Sequence, residues 1–139
     1  MPNVTALLKQ DHREVEALFS KFESTGDSTI AEQICEELDL HTKVEEEAVY
    51  PPLRSEVQGG PGMAEHAEKE HAEARQIIER IRQTKDSEHL NELVSELKSA
   101  VEEHVADEEN EVFPKMESEM GPSRLEEIGA EVEELKSVS

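Results

Sequence analysis

Along most of this chain, oily residues recur every three or four positions, the period of a helix that turns one face to a core. Leu8, Val15, Phe19 and Phe22 mark one stripe, and Ile30, Ile34, Leu38 and Ala48 a second. Met63, Ala67, Ala74, Ile78 and Ile81 mark a third, and Leu90, Leu93, Leu97 and Val101 a fourth. The segments between stripes set the helix ends. Thr25-Gly26-Asp27 stops a first helix that starts at about Asn3 and runs to about Glu23. A second starts near Thr29, whose hydroxyl forms a capping box with Glu32, and runs to about Glu56 with a disturbance at Pro51-Pro52. Gly59-Gly60-Pro61-Gly62 forces a turn, a third helix covers about Met63 to Thr84, and a fourth begins after Asp86 or Ser87 and ends near Glu119. Gly121-Pro122 sets off a last helix opening on a second capping box, Ser123 and Glu126.

Short connections between long helices make antiparallel neighbours. The pattern therefore predicts an all-α fold: an up-down-up-down antiparallel four-helix bundle over residues 3–119, with a short additional C-terminal helix over 122–137. The whole, 1–139, reads as one domain, since single cores of this size are common. Only six Gly and six Pro and a wealth of good helix formers agree with that assignment.

Charge narrows the choice of partners. A formal net charge of −21 repels nucleic acid and anionic membranes, so neither is expected to bind. No basic segment followed by an apolar run opens the chain, and no stretch approaches the roughly 20 apolar residues that span a bilayer, so a cytoplasmic protein is expected. Cys35 is alone and can form no internal disulfide, which suits a reducing compartment.

The candidate chemistry lies in a repeat. His41 to Pro51 reads HTKVEEEAVYP and His104 to Pro114 reads HVADEENEVFP: in each, Glu follows His by four, an aromatic by nine, and then comes Pro. Upstream of each lies a lone histidine behind an acid, Asp11-His12 and Glu70-His71. Spacing alone discriminates poorly, because His12, His41, His66 and His104 all have Glu four residues on. Rotation at about 100° per residue sorts them. His41 and Glu45 fall on the midline of the second stripe, and His104 and Glu108 on that of the fourth, whereas His12 and His71 flank theirs. Height is a second test: His12 and His41 lie about a dozen residues either side of the first turn, and His71 reaches nearly the same layer, while His66 sits about 7 Å nearer the end. His104 matches that layer if the fourth helix starts late, near His89 or Leu90.

Two carboxylates in an oily interior cost several kcal/mol unless positive charge lies between them. Imidazole and carboxylate without thiolate suit iron, manganese or zinc, and two carboxylates able to bridge suggest two ions.

The order of a lone His, HxxxE, a lone His and HxxxE, with DHREVEALF, EEEAVYPPL, EHAEAR and EENEVFPKM around them, resembles the hemerythrin-like, or HHE cation-binding, family from about residue 5 to 118. The resemblance implies a four-helix bundle holding a non-haem centre of two Fe ions bridged by oxo or hydroxo. His12, His41, His71 and His104 would be terminal ligands, and Glu45 and Glu108 bridges. It also implies O2, NO or hydrogen peroxide as the small ligand, in oxygen or redox sensing or peroxide removal, with reversible O2 binding or iron storage and donation as alternatives. The oxygen-carrying hemerythrins have two histidines one turn apart on the third helix and an acid five residues after the last His. Here Ala67 and Arg75 flank His71, and Glu108 follows His104 by four. One ligand is thus missing, and water, His66 on a bulged helix, or the Tyr50 phenolate are the candidates to replace it. Tyr50 equally reads as an aromatic plug matched by Phe113, and Glu46 and Glu109 as groups that orient the ligands.

Overall fold

The computed structural model describes residues 3–139, all of whose regular structure is helical, with no strand among them. Five continuous helical runs follow one another: α1 (Val4–Thr25); α2 (Ser28–Val44), a π-helical turn (Glu45–Val49) and α3 (Tyr50–Glu56); α4 (Gly60–Gln83); α5 (Ser87–Asp107), a second π-helical turn (Glu108–Val112) and α6 (Phe113–Met120); and α7 (Pro122–Ser137). The fifth run is no short appendage. It is 16 residues long and packs on α1, α2, the first π-turn and α6.

Local chemistry explains each boundary. Asn3 caps α1 by accepting the Ala6 N–H, and Gly26 ends it at φ 64°, returning its own N–H to the Phe22 carbonyl at 2.7 Å. Asp27, not Thr29, caps α2: its carboxylate accepts the Thr29 N–H at 2.9 Å, which places Thr29 inside the helix. The expected Ser123/Glu126 box is also absent, because Pro122 already occupies the first helical position and Ser123 lies within the first turn. The fourth helix starts where expected, and His104 reaches the layer without the late start near His89 or Leu90. It begins at Ser87 behind the Asp86 cap, with the residues of its first turn largely exposed. At Gly60 a side chain is sterically excluded, since a Cβ there would lie 1.8 Å from the Leu53 carbonyl oxygen; this close approach seats the start of α4 on α3.

The disturbance expected at Pro51-Pro52 takes the form of a π-turn, and a second π-turn, outside that expectation, precedes Pro114. Each opens at a glutamate of the repeat and closes with the N–H of the following aromatic on that glutamate's carbonyl, Tyr50 to Glu45 and Phe113 to Glu108. In an uninterrupted α-helix the rings of Pro51 and Pro114 would meet the carbonyls four residues back, those of Glu47 and Asn110. Widening the preceding turn relieves the clash.

The apolar interior comes in two parts. One cluster is built around Val15, Phe19, Phe22, Ile34, Ile78 and Leu97, and the other around Leu8, Tyr50, Leu53, Phe113, Met116 and Ile128. Between them lies a buried polar layer: His12, His41, Glu45, His71, His104 and Glu108. Cys35 belongs to the first cluster, where burial pushes its thiol up to about 12. None of the helices is long and apolar enough to cross a membrane.

Candidate metal centre

The six side chains of the polar layer come from four runs and converge with their Nε2 and carboxylate atoms inward. His12 Nε2 lies 3.2 Å from Glu108 Oε1, and His41 Nε2 lies 3.3 Å from Glu45 Oε1. His71 Nε2 is 3.0 Å and His104 Nε2 3.3 Å from the same Glu45 oxygen, and His104 is 3.4 Å from Glu108 Oε2. The imidazoles pair, with ring centroids 5.0 Å apart for His12 and His41 and 4.7 Å for His71 and His104. Two ligand sets result, His12, His41, Glu45 and Glu108 on one side and Glu45, His71 and His104 on the other. Glu45 is common to both, and Glu108 offers one oxygen to each side. That is the arrangement of carboxylates able to bridge two ions.

Outside this core runs a closed ring of carboxylates. Each imidazole donates its Nδ1–H to an acid on a neighbouring run: His41 to Asp11 at 3.1 Å, His71 to Glu46 at 2.7 Å, His104 to Glu70 at 2.9 Å and His12 to Glu109 at 2.7 Å. A carboxylate only accepts, so Nδ1 carries a proton, and the inward Nε2 is left as the atom that takes either a metal or a second proton. This is the tautomer and orientation that metal-binding histidines take. Glu46 and Glu109 stand where a ligand-orienting role would place them, on His71 and His12, whereas Asp11 and Glu70 were not singled out for such a role. The acid-His dipeptide at 11–12 and 70–71 is no clean signal for them, since 65–66, 88–89 and 103–104 carry it too.

The electrostatics demand positive charge. Glu45 is 0% and Glu108 1% exposed. Burial penalises the Glu45 anion, but His41 and the surrounding donors hold its carboxyl well below the usual range. Burial likewise opposes charge on His41 and His104, yet the carboxylates beside them win: His41 is raised to about 10, chiefly by Glu45 and Asp11, and His104 is raised well above its ordinary value by Glu108 and its hydrogen-bonded acids. Protons and metal cations compete for these lone pairs. Two buried atoms of the layer, His41 Nε2 and Glu45 Oε2, have no hydrogen-bond partner, although His41 Nε2 lies 3.3 Å from the other Glu45 oxygen. A cation there gives both a partner, so the residues present fit a bound metal.

Tyr50 reaches the same point. Its hydroxyl lies 2.9 Å from Glu108 Oε2, 3.1 Å from Glu45 Oε1 and 3.2 Å from His71 Nε2, and it donates its single proton to the nearest, Glu108. Burial and the two carboxylates raise it well above an ordinary phenol. The π-turn is what brings it there. Five residues of α-helix would leave Tyr50 about 140° around from Glu45, whereas an i to i+5 turn sets it one turn on, above the carboxylate. Phe113 occupies the matching place in the other half and stacks on His12, centroids 5.9 Å apart. His66 does not join the layer. It is 61% exposed and faces Glu70 and Asp107, because α4 is unbroken around it.

Beside the imidazoles, on the side of the first apolar cluster, is a cavity of about 30 Å³ lined by Val15, Leu38, Ala74, Val101 and Val105 together with the four histidines. It has room for about two water-sized molecules.

A protein described as a DNA nickase from Nostoc sp. (strain PCC 7120 / SAG 25.82 / UTEX 2576) is 28% identical over 140 residues, a match covering 97% of this chain but 39% of that protein. The chain thus spans well under half the length of the curated relative it matches. No solved structure matches. The model of the hemerythrin HHE cation binding domain matches residues 3–116, an interval holding every residue of the polar layer, and the chain belongs to that family.

Proposed function

We propose that the chain is one hemerythrin-like domain, an up-down-up-down four-helix bundle with α7 packed against it, that holds a non-haem di-iron centre. His12 and His41 would ligate one ion, His71 and His104 the other, with Glu45 and Glu108 bridging. Two iron ions joined by an oxo or hydroxo group would supply the redox equivalents for O2, NO or hydrogen peroxide, the small molecules sensed or removed; manganese or zinc is the alternative filling. The observation that carries this reading is the set of four inward Nε2 lone pairs around two fully buried carboxylates. The chain's own part is definite. Asp11, Glu46, Glu70 and Glu109 hold the imidazoles, and Tyr50 offers a proton beside both carboxylates. A cavity of about 30 Å³ supports a ligand of two or so heavy atoms over an organic substrate.

The test is metal content and optical spectrum after expression with iron. About two irons per chain, an oxo-to-iron charge-transfer band and loss of both on His41→Ala support the reading; a folded chain that binds no metal defeats it. Peroxide turnover, with Tyr50→Phe as control, separates removal from reversible O2 binding or iron donation. The Nostoc relative's name suggests strand scission as a second reading. Conversion of supercoiled plasmid by this chain would favour it, against the −21 charge.

A further inference from the structure

The ring of outer carboxylates is asymmetric in its own neutralisation. Asp11 is paired with Lys136, Glu46 with Arg75 at 2.7 Å and Glu109 with Arg13, so three of the four have a permanent cation. Glu70 has no Lys or Arg partner among the described residues. It has His66 Nε2 at 3.4 Å, and that same nitrogen lies 3.2 Å from Asp107 Oδ2. A proton on His66 satisfies Asp107, while Glu70 Oε2 is buried and without any hydrogen-bond partner, on a side chain only 11% exposed. His66, Glu70 and Asp107 thus bring one imidazole nitrogen and two carboxylate oxygens within 4.8 Å of one another, a facing set with room for water to complete the coordination.

The position of this trio adds a second observation. It lines an open pocket of about 210 Å³ whose wall also includes Glu111 and, from the buried layer, Glu108. One opening therefore touches both the outer trio and a carboxylate of the centre. Glu70 spans the two as well, with Oε1 on His104 and Oε2 toward His66.

We propose that His66, Glu70 and Asp107 form a third, outer site for a divalent transition-metal cation, on the route by which metal reaches the buried centre. Being shallow and open to water, it binds more weakly than the interior, as a transit position must. The route, though not the binding, rests on the di-iron reading above.

The test uses Mn2+ added to the full chain already loaded with iron, with free Mn2+ followed by its paramagnetic resonance. The expected result is one further equivalent bound, lost in His66→Ala and in Asp107→Asn while both variants keep the iron content of the parent. Iron-loaded parent that takes up no Mn2+, or variants that bind it equally, overturns the site. Mixing the metal-free chain with Fe2+ tests the route: loading should be about tenfold slower in Asp107→Asn at an unchanged end point, since a charged opening concentrates cations. An unchanged rate overturns the route. Failure of the di-iron reading would show separately, as a chain without interior iron that still takes one Mn2+.

Discussion

The two halves of the molecule, residues 4–56 and 60–120, carry the same instructions and yet complete each other. In each, HxxxE opens a π-turn at its glutamate, an aromatic and a proline follow, and an acid precedes a lone histidine. The contacts cross over. Glu46 and Tyr50 of the first half reach His71 of the second, while Glu109 and Phe113 of the second reach His12 of the first. Neither half alone surrounds its lone histidine, so the centre is complete only when the halves are together. At the matched aromatic position the halves differ by one oxygen atom, the Tyr50 hydroxyl that Phe113 lacks. Under the di-iron reading, that difference would make the two ion positions chemically unequal.

The strongest way to break the comparison is to remove what both halves share. If binding stabilises the fold at about 1,000 times Kd, it contributes about 4 kcal/mol, so chelation should lower Tm by about 10 °C or more in a scanning experiment. A Tm indifferent to chelator would show that the halves join without metal.

Acidity and alkalinity act next, with opposite signs in the metal-free and loaded chains. His41 has its pKa raised to about 10, so its contribution to metal-free stability is full below about 6.5 and is lost as pH rises through 10. Glu45 is depressed, so its contribution is full above about 4.5 and is lost as pH falls through its lowered value. The metal-free chain should melt highest between about pH 4.5 and 6.5 and lose a few kcal/mol toward pH 10. Metal must displace protons from imidazole, so affinity for it should rise over that range. Thermal melts at stepped pH, with and without metal, check both slopes; a metal-free Tm that climbs from pH 6.5 to 9 contradicts the assignment.

Asp11→Asn and Glu70→Gln make matched cuts in the two halves, each removing the charge that orients an HxxxE histidine. Each should weaken metal binding by about 10- to 100-fold, with the site otherwise intact. Competition with a chromophoric chelator measures it, and equal affinity in either variant would deny the ring its orienting role.

The smallest change addresses the single oxygen. Tyr50→Phe removes a donor to a buried carboxylate and should cost about 1–3 kcal/mol in denaturant unfolding of the metal-free chain. In the iron-loaded chain it should bring the two Mössbauer doublets together. Doublets that stay as far apart as in the parent would place the inequality elsewhere.

Much of this was legible in one dimension because helices make it local. His and Glu four apart share a face wherever the helix goes, and the distance of His12, His41 and His71 from their turns sets their height, so these readings needed only the helical period. The Thr29 and Ser123 caps were misread for an equally local reason: Asp27 and Pro122 lie one or two positions earlier and take the terminal role first. The path of α7 across α1 and α6 left no comparable mark, since an oily face does not name its partner.

What the chain by itself determined is therefore the repeat, the helices, the inward pairs and the need for positive charge between them, all of which follow from spacing and burial along single helices. Only the tertiary structure decided that Asp11 serves His41, that Glu109 serves His12, that Tyr50 stands over both carboxylates and that His66 stays outside. Those relations depend on which run neighbours which and on how far each is rotated, and two helices acquire such a relation only on packing.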